Sequence, residues 1–400
     1  MIKRKIILGL ILAAIVIYLI EYSGLFTMVR ELNYRTEFKY PIEGDITRYI
    51  AEMKQGSNLS IKPFDNHNVN FLIKNEKKCI TSNNDGSNLP LRIVYIVKSA
   101  IANVENRKAI RRTWGFENRF ADVEIRTVFL LGYVHGPNKF DTHATIVLEN
   151  EKFHDIIQGD FIDTYYNNTM KTLMGIRWAA EFCSNSRFYL YVDDDYYVST
   201  RNILRFLRNP PSYPKYLENP TIDFNDVQKS NRLNTKLKNG KKLNWPYQNT
   251  MHPISSGGNR KLQQLVDFDL PEDVELYAGY VFFPKPHRHK LSKWYISLEE
   301  YPYDKYPPFI NAGAYVLSNE ALKKFYYASY FVQKFRFDDV YLGIIAKKLE
   351  IEPFHSDEFW FYRKYPYNVN DFSYTIASHE FSNPKKMEKI WNQQKQAGNA

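Results

Sequence analysis

Cysteine is nearly absent from these 400 residues: Cys79 and Cys183 are the only two. That excludes a disulfide framework and a zinc-cluster protein. The two either pair in an oxidising lumen or stay free. A bridge closing a loop of about 100 residues would add at most ~4.7 kcal/mol on the chain-entropy account. Glycine-rich phosphate cradles are missing as well. Neither GxxxxGK[ST] nor GxGxxG occurs, which sets aside the two commonest phosphate-loop readings. There is no basic block interleaved with aromatics either. The net charge of +10 is spread along the chain, so nucleic acid is not an expected partner. A basic lumenal enzyme of anionic nucleotides accounts for that charge equally well.

Long apolar runs are scarce too, and the one present is N-terminal. Residues 6–20 carry no charge and follow Lys3, Arg4 and Lys5. The run is short for a membrane span, where ~20 residues are usual, although Leu25 and Phe26 extend it toward an interface. Basic residues ahead of it predict a cytosolic N-terminus and a lumenal body. No small-x-small cleavage site follows, which favours an uncleaved anchor over a signal peptide. A short span also suits the thinner membranes of the early secretory pathway. The expected order is a cytosolic tail over 1–5, a transmembrane signal anchor over 6–26, a stem or linker over 27–88 and a lumenal domain over 89–400. The stem assignment rests on a polar, aperiodic stretch rich in Asn, Ser and Lys. Asn58 is a glycosylation sequon within it.

With 44% hydrophobic residues, the chain can bury one large or two modest cores. Leu91–Val97 and Ile125–Leu131 read as buried strands, with an Arg-rich helix from Asn106 to Trp114 between them. A helix over Glu149–Ile157, a short strand over Asp160–Ile162 and an amphipathic helix over Thr169–Phe182 follow. Strands alternating with helices predict an α/β fold with a mostly parallel sheet. Residues 209–275 break the rhythm with prolines, Asn and Lys, and read as a long flexible insertion. Order resumes at Tyr277–Phe283 and Pro308–Leu317. The latter strand holds Gly313, where a backbone or ligand can approach closely. Ser318 is the expected N-cap of a helix over Glu320–Tyr327, Phe337–Ala346 forms another helix, and Asn383-Pro384 opens a C-terminal one.

The chemistry concentrates at Phe188–Val198, an apolar strand tipped by Asp193, Asp194 and Asp195. Three adjacent carboxylates repel one another, and burying unpaired charge costs several kcal/mol. Alternation puts Asp193 and Asp195 on one face, which suits a hard divalent cation with positions left for phosphate oxygens. Arg107, Arg111 and Lys171 are candidates to neutralise a diphosphate, although most such residues merely face solvent. Asp338 and Asp339 either complement a helix N-terminus, at ~0.3–1 kcal/mol each, or include a general base. His379 is a further candidate metal ligand, imidazole suiting Mn²⁺ better than Mg²⁺. Trp294, Tyr295 and Tyr301 are candidates to stack on an acceptor sugar.

Five stretches together resemble the inverting β1,3-glycosyltransferases of glycosyltransferase family 31. They are Arg107–Gly115, Phe161–Trp178, Val192–Asp195, Tyr306–Ser318 and Phe337–Gly343. Val192–Thr200, Ser292–Pro302, Phe335–Gly343 and Ile376–Phe381 are similar in particular to an insect member acting on a β-mannosyl glycolipid. The resemblance implies a GT-A fold, a type II Golgi membrane protein and a UDP-sugar donor with Mn²⁺. Residue by residue, Asp195 and His379 match metal ligands, and Asp193 a metal and donor contact beside Asp194. Asp339 matches the catalytic base, with Asp338 where the family usually has Glu. Ala312-Gly313-Ala314 stands where two glycines are common. Asn167 is a sequon inside a motif, so glycan and structural roles compete there. The activity implied is N-acetylglucosaminyl transfer from UDP-GlcNAc to a glycolipid. Its alternatives are β1,3-galactosyl transfer and a non-catalytic Golgi sugar-binding protein.

Overall fold

The computed structural model describes residues 2–42, 44–65, 69–80, 91–120, 123–136, 139–218, 270–362 and 367–400. Most of the expected insertion therefore lies outside the described residues. Its ends do not: Pro210–Ser212 and Lys215–Glu218 are helical. The chain divides into two compact units. The first comprises residues 1–103, 120–193 and 275–357; the second comprises 104–119, 194–274 and 358–400.

The first unit is built on an eight-stranded sheet. Its strands are β1 (Phe71–Ile73), β2 (Leu91–Lys98), β3 (Ile125–Tyr133), β4 (Ile156–Ile162), β5 (Ser186–Asp193), β7 (Tyr277–Phe282), β8 (Phe309–Ser318) and β9 (Phe354–His355), in the order β1-β4-β3-β2-β5-β8-β7-β9. Strands β4, β3, β2 and β5 run parallel, as do β7 and β9. The pairs β1–β4, β5–β8 and β7–β8 are antiparallel. The sheet is thus mixed, with six strands in one sense and two against them. The two are β8, which enters beside β5, and β1, which pairs with β4 at the edge. Strands β2 and β5 are buried along nearly their whole length, so they read as continuous apolar runs instead of alternating ones. Tyr191 and Tyr315 are register partners across β5 and β8 and stack with ring centroids 4.9 Å apart.

Helix α6 (Lys139–Phe153) precedes β4, and α7 (Asn168–Phe182) links β4 to β5. The helix expected over 149–157 ends at Phe153, where His154 takes a positive φ of 49°, and Ile156 already belongs to β4. Helix α7 lies close against the sheet at Gly175, where an added Cβ would stand 2.6 Å from Leu130 Cδ1. Helices α10 (Asn319–Ser329) and α11 (Asp338–Lys348) complete this core.

The stretch expected as a stem is folded onto this unit. Helix α4 (Ile46–Lys54) is capped by Asp45 and buries Ile46 and Ile50. Strand β1 pairs with β4, and Cys79 is disulfide-bonded to Cys183. The folded body therefore begins well before residue 89. Helix α1 (Ile2–Ser23) precedes it. Among the described residues it is the one helix long and apolar enough to cross a membrane, over Ile6–Ser23.

The second unit holds α5 (Val104–Arg112), β6 (Tyr197–Val198), α8 (Thr200–Phe206), β10 (Phe359–Trp360), β11 (Ala377–Ser378) and α12 (Pro384–Gln396). Strands β10, β11 and β6 form a three-stranded sheet in that order. Asn383 caps α12 by accepting from the Lys386 amide, with Pro384 in the first turn. Trp114 is fully buried and its Nε1 donates to the Tyr196 carbonyl at 3.1 Å.

Candidate active site

In the first unit the chemistry gathers around a buried lysine. Lys98 is the last residue of β2 and the register partner of Asp193 at the tip of β5. Its Nζ lies 3.0 Å from Asp193 Oδ1, 3.0 Å from Asp338 Oδ2 and 2.9 Å from the Ala312 carbonyl. The Lys98 side chain is 5% exposed and that of Asp338 9%, against 37% for Asp193. Thr172 of α7 donates its hydroxyl to the same Oδ2 of Asp338 at 2.7 Å. Burial works against the charge on Lys98, but the two carboxylates outweigh it and raise its pKa.

Asp338 and Asp339 are the first two residues of α11, and their N-cap, Phe337, offers no side-chain acceptor. Asp339 accepts from the Val340 amide at 2.8 Å. Its carboxyl is pushed up to about 7, first by burial and then by the negative charge of Asp338. The Val340 hydrogen bond and the charge on Lys98 pull the other way. A carboxylate titrating there suits a base working near neutrality. Lys293 Nζ lies 5.9 Å from the centre of the Tyr165 ring, and the charges of Asp339, Asp338 and Asp193 all act on the Tyr165 hydroxyl. Burial first, then these three charges, raise its pKa.

In the second unit Asp195 and His379 meet, His379 Nε2 lying 3.0 Å from Asp195 Oδ2. The imidazole rests against the Tyr196 ring at 4.9 Å. The backbone holds both residues: Phe381 N donates to the Asp195 carbonyl at 2.7 Å, and His379 N to the Trp360 carbonyl at 3.1 Å. Asp195 Oδ1 is buried and has no hydrogen-bond partner. A buried carboxylate oxygen in that state calls for an explanation, and a cation is a fitting one. A carboxylate beside an imidazole is a donor pair that a divalent metal ion can use. Among the described residues no group of three or more His, Cys, Asp or Glu converges on one point. A cation held by these two side chains would leave its other positions to oxygens of substrate and water.

The remaining expected residues divide clearly. Asp193 Oδ1 is engaged by Lys98 at 3.0 Å. Asp194 is buried, and its carbonyl accepts from Asn106 Nδ2 at 3.2 Å. Lys171 is not directed at a diphosphate: it is buried, 2.6 Å from Asp163 Oδ1 and 2.7 Å from the Ser99 carbonyl. Arg107 and Arg111 lie on α5 in the unit of Asp195, the first fully buried and the second half-buried. The Gly313 amide donates to Asn311 Oδ1 at 3.0 Å, one residue beyond the carbonyl that holds Lys98. Trp294 is exposed and Tyr295 half-buried, but Tyr301 is a core residue. Its ring packs on Tyr303 and Tyr306, and its hydroxyl bonds the Lys305 carbonyl. It cannot stack on a sugar. Asn58 is exposed. Asn167 donates its side-chain amide to the Ile162 carbonyl, and Thr169 of the same sequon is buried against the Phe335 carbonyl. Lys98, Thr172 and Tyr165 escaped the reading of the sequence. A basic side chain closing a strand directly after five apolar or aromatic residues, Ile93–Val97, was the available sign of Lys98.

Comparison with known proteins points to one family. A family model described as Galactosyltransferase matches residues 105–246 and 259–357. The chain is 37% identical over 405 residues to "Beta-1,3-galactosyltransferase brn" of Drosophila melanogaster, covering 99% of this chain and 98% of that protein. It is 29% identical over 337 residues to "Beta-1,3-galactosyltransferase 1" of Mus musculus, covering 84% and 81%. Among solved structures, a glycosyltransferase involved in glycosylation of the major capsid of PBCV-1 matches with 11% identity and a TM-score of 0.30, covering 75% of this chain and 98% of that one. That score is too low to carry an argument.

Proposed function

Because the chain belongs to the galactosyltransferase family and is a β1,3-type glycosyltransferase, we propose that it transfers N-acetylglucosamine from UDP-GlcNAc to the 3-hydroxyl of a β-mannosyl glycolipid, with inversion. The observation that carries the chemistry is Asp339, a carboxyl raised to about 7 in the first turn of α11. Ionised, it takes the proton of the acceptor hydroxyl. That oxygen forms the new bond to the anomeric carbon as the bond to the diphosphate breaks on the opposite face. Asp338 is not a second base. Tied to Lys98 and Thr172, it holds the start of the helix in place. Asp195 and His379 would hold Mn²⁺, and Arg107 and Arg111 on the same unit would add positive charge for the diphosphate. When bound, that metal supplies charge neutralisation at the leaving group. Residues 6–23 are read as a signal anchor of a type II Golgi membrane protein, with the body lumenal.

A second reading concerns the donor. The relatives' printed names are those of galactosyltransferases, which favours UDP-galactose. Both donors tested against β-mannosyl and β-galactosyl acceptors separate the readings: efficient transfer from UDP-galactose alone overturns the first. Asp339→Asn should bind UDP with Mn²⁺ normally while transfer falls about 10²–10⁴-fold. Near-wild-type turnover in that variant would remove Asp339 from the mechanism.

A further inference from the structure

The residues that follow the apolar helix α1 do not drift away from the folded body; they are pinned to one loop of it. Glu21 pairs with Lys290 at 3.0 Å, and the Tyr22 carbonyl accepts from the Lys290 amide. Gly24 ends the helix with φ +82°, and its Cα sits so close to Arg288 that an added Cβ would stand 2.5 Å from the Arg288 carbonyl oxygen. Only glycine fits there, on both counts. Arg288 is itself fully buried. It donates to Glu31 at 2.7 Å and to the carbonyls of Ile296, Ser297, Tyr301 and Tyr303. Leu32 then bridges to Tyr303, and the Tyr34 amide donates to Asp304. Residues 21–34 and 287–304 thus form one fastened piece of the first unit.

Large apolar side chains stand exposed on this piece. Leu25, Phe26, Met28 and Val29 of α2 (Leu25–Val29) are 54%, 54%, 49% and 86% exposed, and Leu291 and Trp294 on the loop are 70% and 44% exposed. Water is a poor neighbour for so many together. The packing of Gly24 on the Arg288 backbone, the Lys290–Tyr22 backbone bond and the ion pair from Glu21 to Lys290 together hold the loop at the end of α1. If Ile6–Ser23 spans the bilayer, as proposed above, these side chains lie at the depth of the headgroups. Trp with flanking Lys is the composition found at that depth; here Lys293 Nζ sits 4.4 Å above the Trp294 ring. The same Nζ lies 5.9 Å from the ring of Tyr165, on whose hydroxyl the charge of Asp339 acts. The loop therefore reaches toward the proposed base.

We propose that α2 and the 285–294 loop form a rim seated in the headgroup layer of the bilayer that α1 anchors, so that this enzyme works on acceptors presented by the membrane itself. The occupant of the apolar rim is lipid. The inference rests on reading α1 as a membrane anchor, and its test separates the two.

Full-length protein in phosphatidylcholine nanodiscs would carry one nitroxide at a time through Leu12→Cys, Leu291→Cys or Leu148→Cys. The two native cysteines are consumed in the disulfide, and Leu148 is an exposed control on α6. Oxygen should broaden the signal at 12 and at 291 more than an aqueous nickel chelate does, with the reverse at 148. A label at 12 in lipid with 291 as nickel-accessible as 148 overturns the rim and leaves the anchor. Labels at 12 and 291 both in water overturn the anchor and the rim together. In a second arm, Phe26→Asp combined with Leu291→Asp should slow transfer to a glycolipid embedded in phosphatidylcholine vesicles about tenfold. Transfer to a short soluble glycoside should be unchanged, which also reports that the variant folds. Equal loss on both acceptors, or no loss on either, overturns the proposal.

Discussion

Asp193 and Asp195 are separated by one residue, share the same chemistry and end in opposite electrostatic conditions. Asp193 closes β5 in the first unit and meets a cation that the chain supplies, Lys98. Asp195 lies in the second unit and meets an imidazole, with one oxygen buried and, among the described residues, unbonded. The first carboxylate is paired within the fold; the second keeps one oxygen that, among the described residues, has no hydrogen-bond partner. An acidic run is therefore not a ligand count. What decides each member is whether a positive group of the protein reaches it first. Lys98 gets to Asp193 because parallel pairing of β2 with β5 makes them register neighbours. Among the described residues the charged partner of Asp195 is His379 alone.

The comparison breaks most severely if Lys98 is dispensable. Lys98→Met leaves Asp338, a carboxylate with 9% exposure, without its cation. Removing one member of a buried pair costs about 3–5 kcal/mol, so thermal unfolding should occur well below the wild-type temperature. Asp193 contributes less to that loss, being 37% exposed. An unchanged unfolding temperature would mean that the cluster does not serve the fold. A smaller effect sharpens the contrast between the two aspartates. Asp195→Asn should raise the Mn²⁺ concentration needed for UDP binding at least about tenfold, since loss of even an outer-shell partner costs ~10–100-fold. Asp193→Asn should barely move it. Equal shifts in a Mn²⁺ titration of UDP binding would make both residues ligands.

Much of this was legible in the sequence because local signals agreed with the final packing. The apolar runs of β2, β3 and β5, the Ser318 cap of α10 and the Asn383-Pro384 start of α12 are cases where propensity and burial point one way. The misses share a different cause: they depend on partners distant in the chain. The stretch before residue 89 reads as polar on average, yet α4 presents Ile46 and Ile50 to a core made by later elements. The antiparallel entry of β8 and the burial of Tyr301 are likewise set by neighbours far away. In the site, the Asp tips and the 338–339 pair were visible as residues. That Asp193 and Asp338 share Lys98 was not, because Lys98 looks like the polar end of a strand until register is known.

The smallest effect expected is also the one that reads the cluster's electrostatics directly. Asp339 carries the burial of its site and the charge of Asp338, and both raise its pKa to about 7. Transfer at low acceptor concentration should accordingly rise with pH through that value, as the base ionises. Stability should run the other way. A carboxyl whose folded pKa lies above its unfolded value of ~3.9 favours the native state fully below that value and loses the contribution as pH climbs to about 7. Between these limits, wild-type unfolding temperature should fall with pH more steeply than that of Asp339→Asn. The two neighbours then move the activity limb in opposite directions. Asp338→Asn removes a repelling charge and should bring the midpoint down, whereas Lys98→Met removes an attracting one and should send it up. Shifts of the same sign in both variants would show that helix position, and not charge, sets the base, and the Lys98 cluster would then be a structural pin alone.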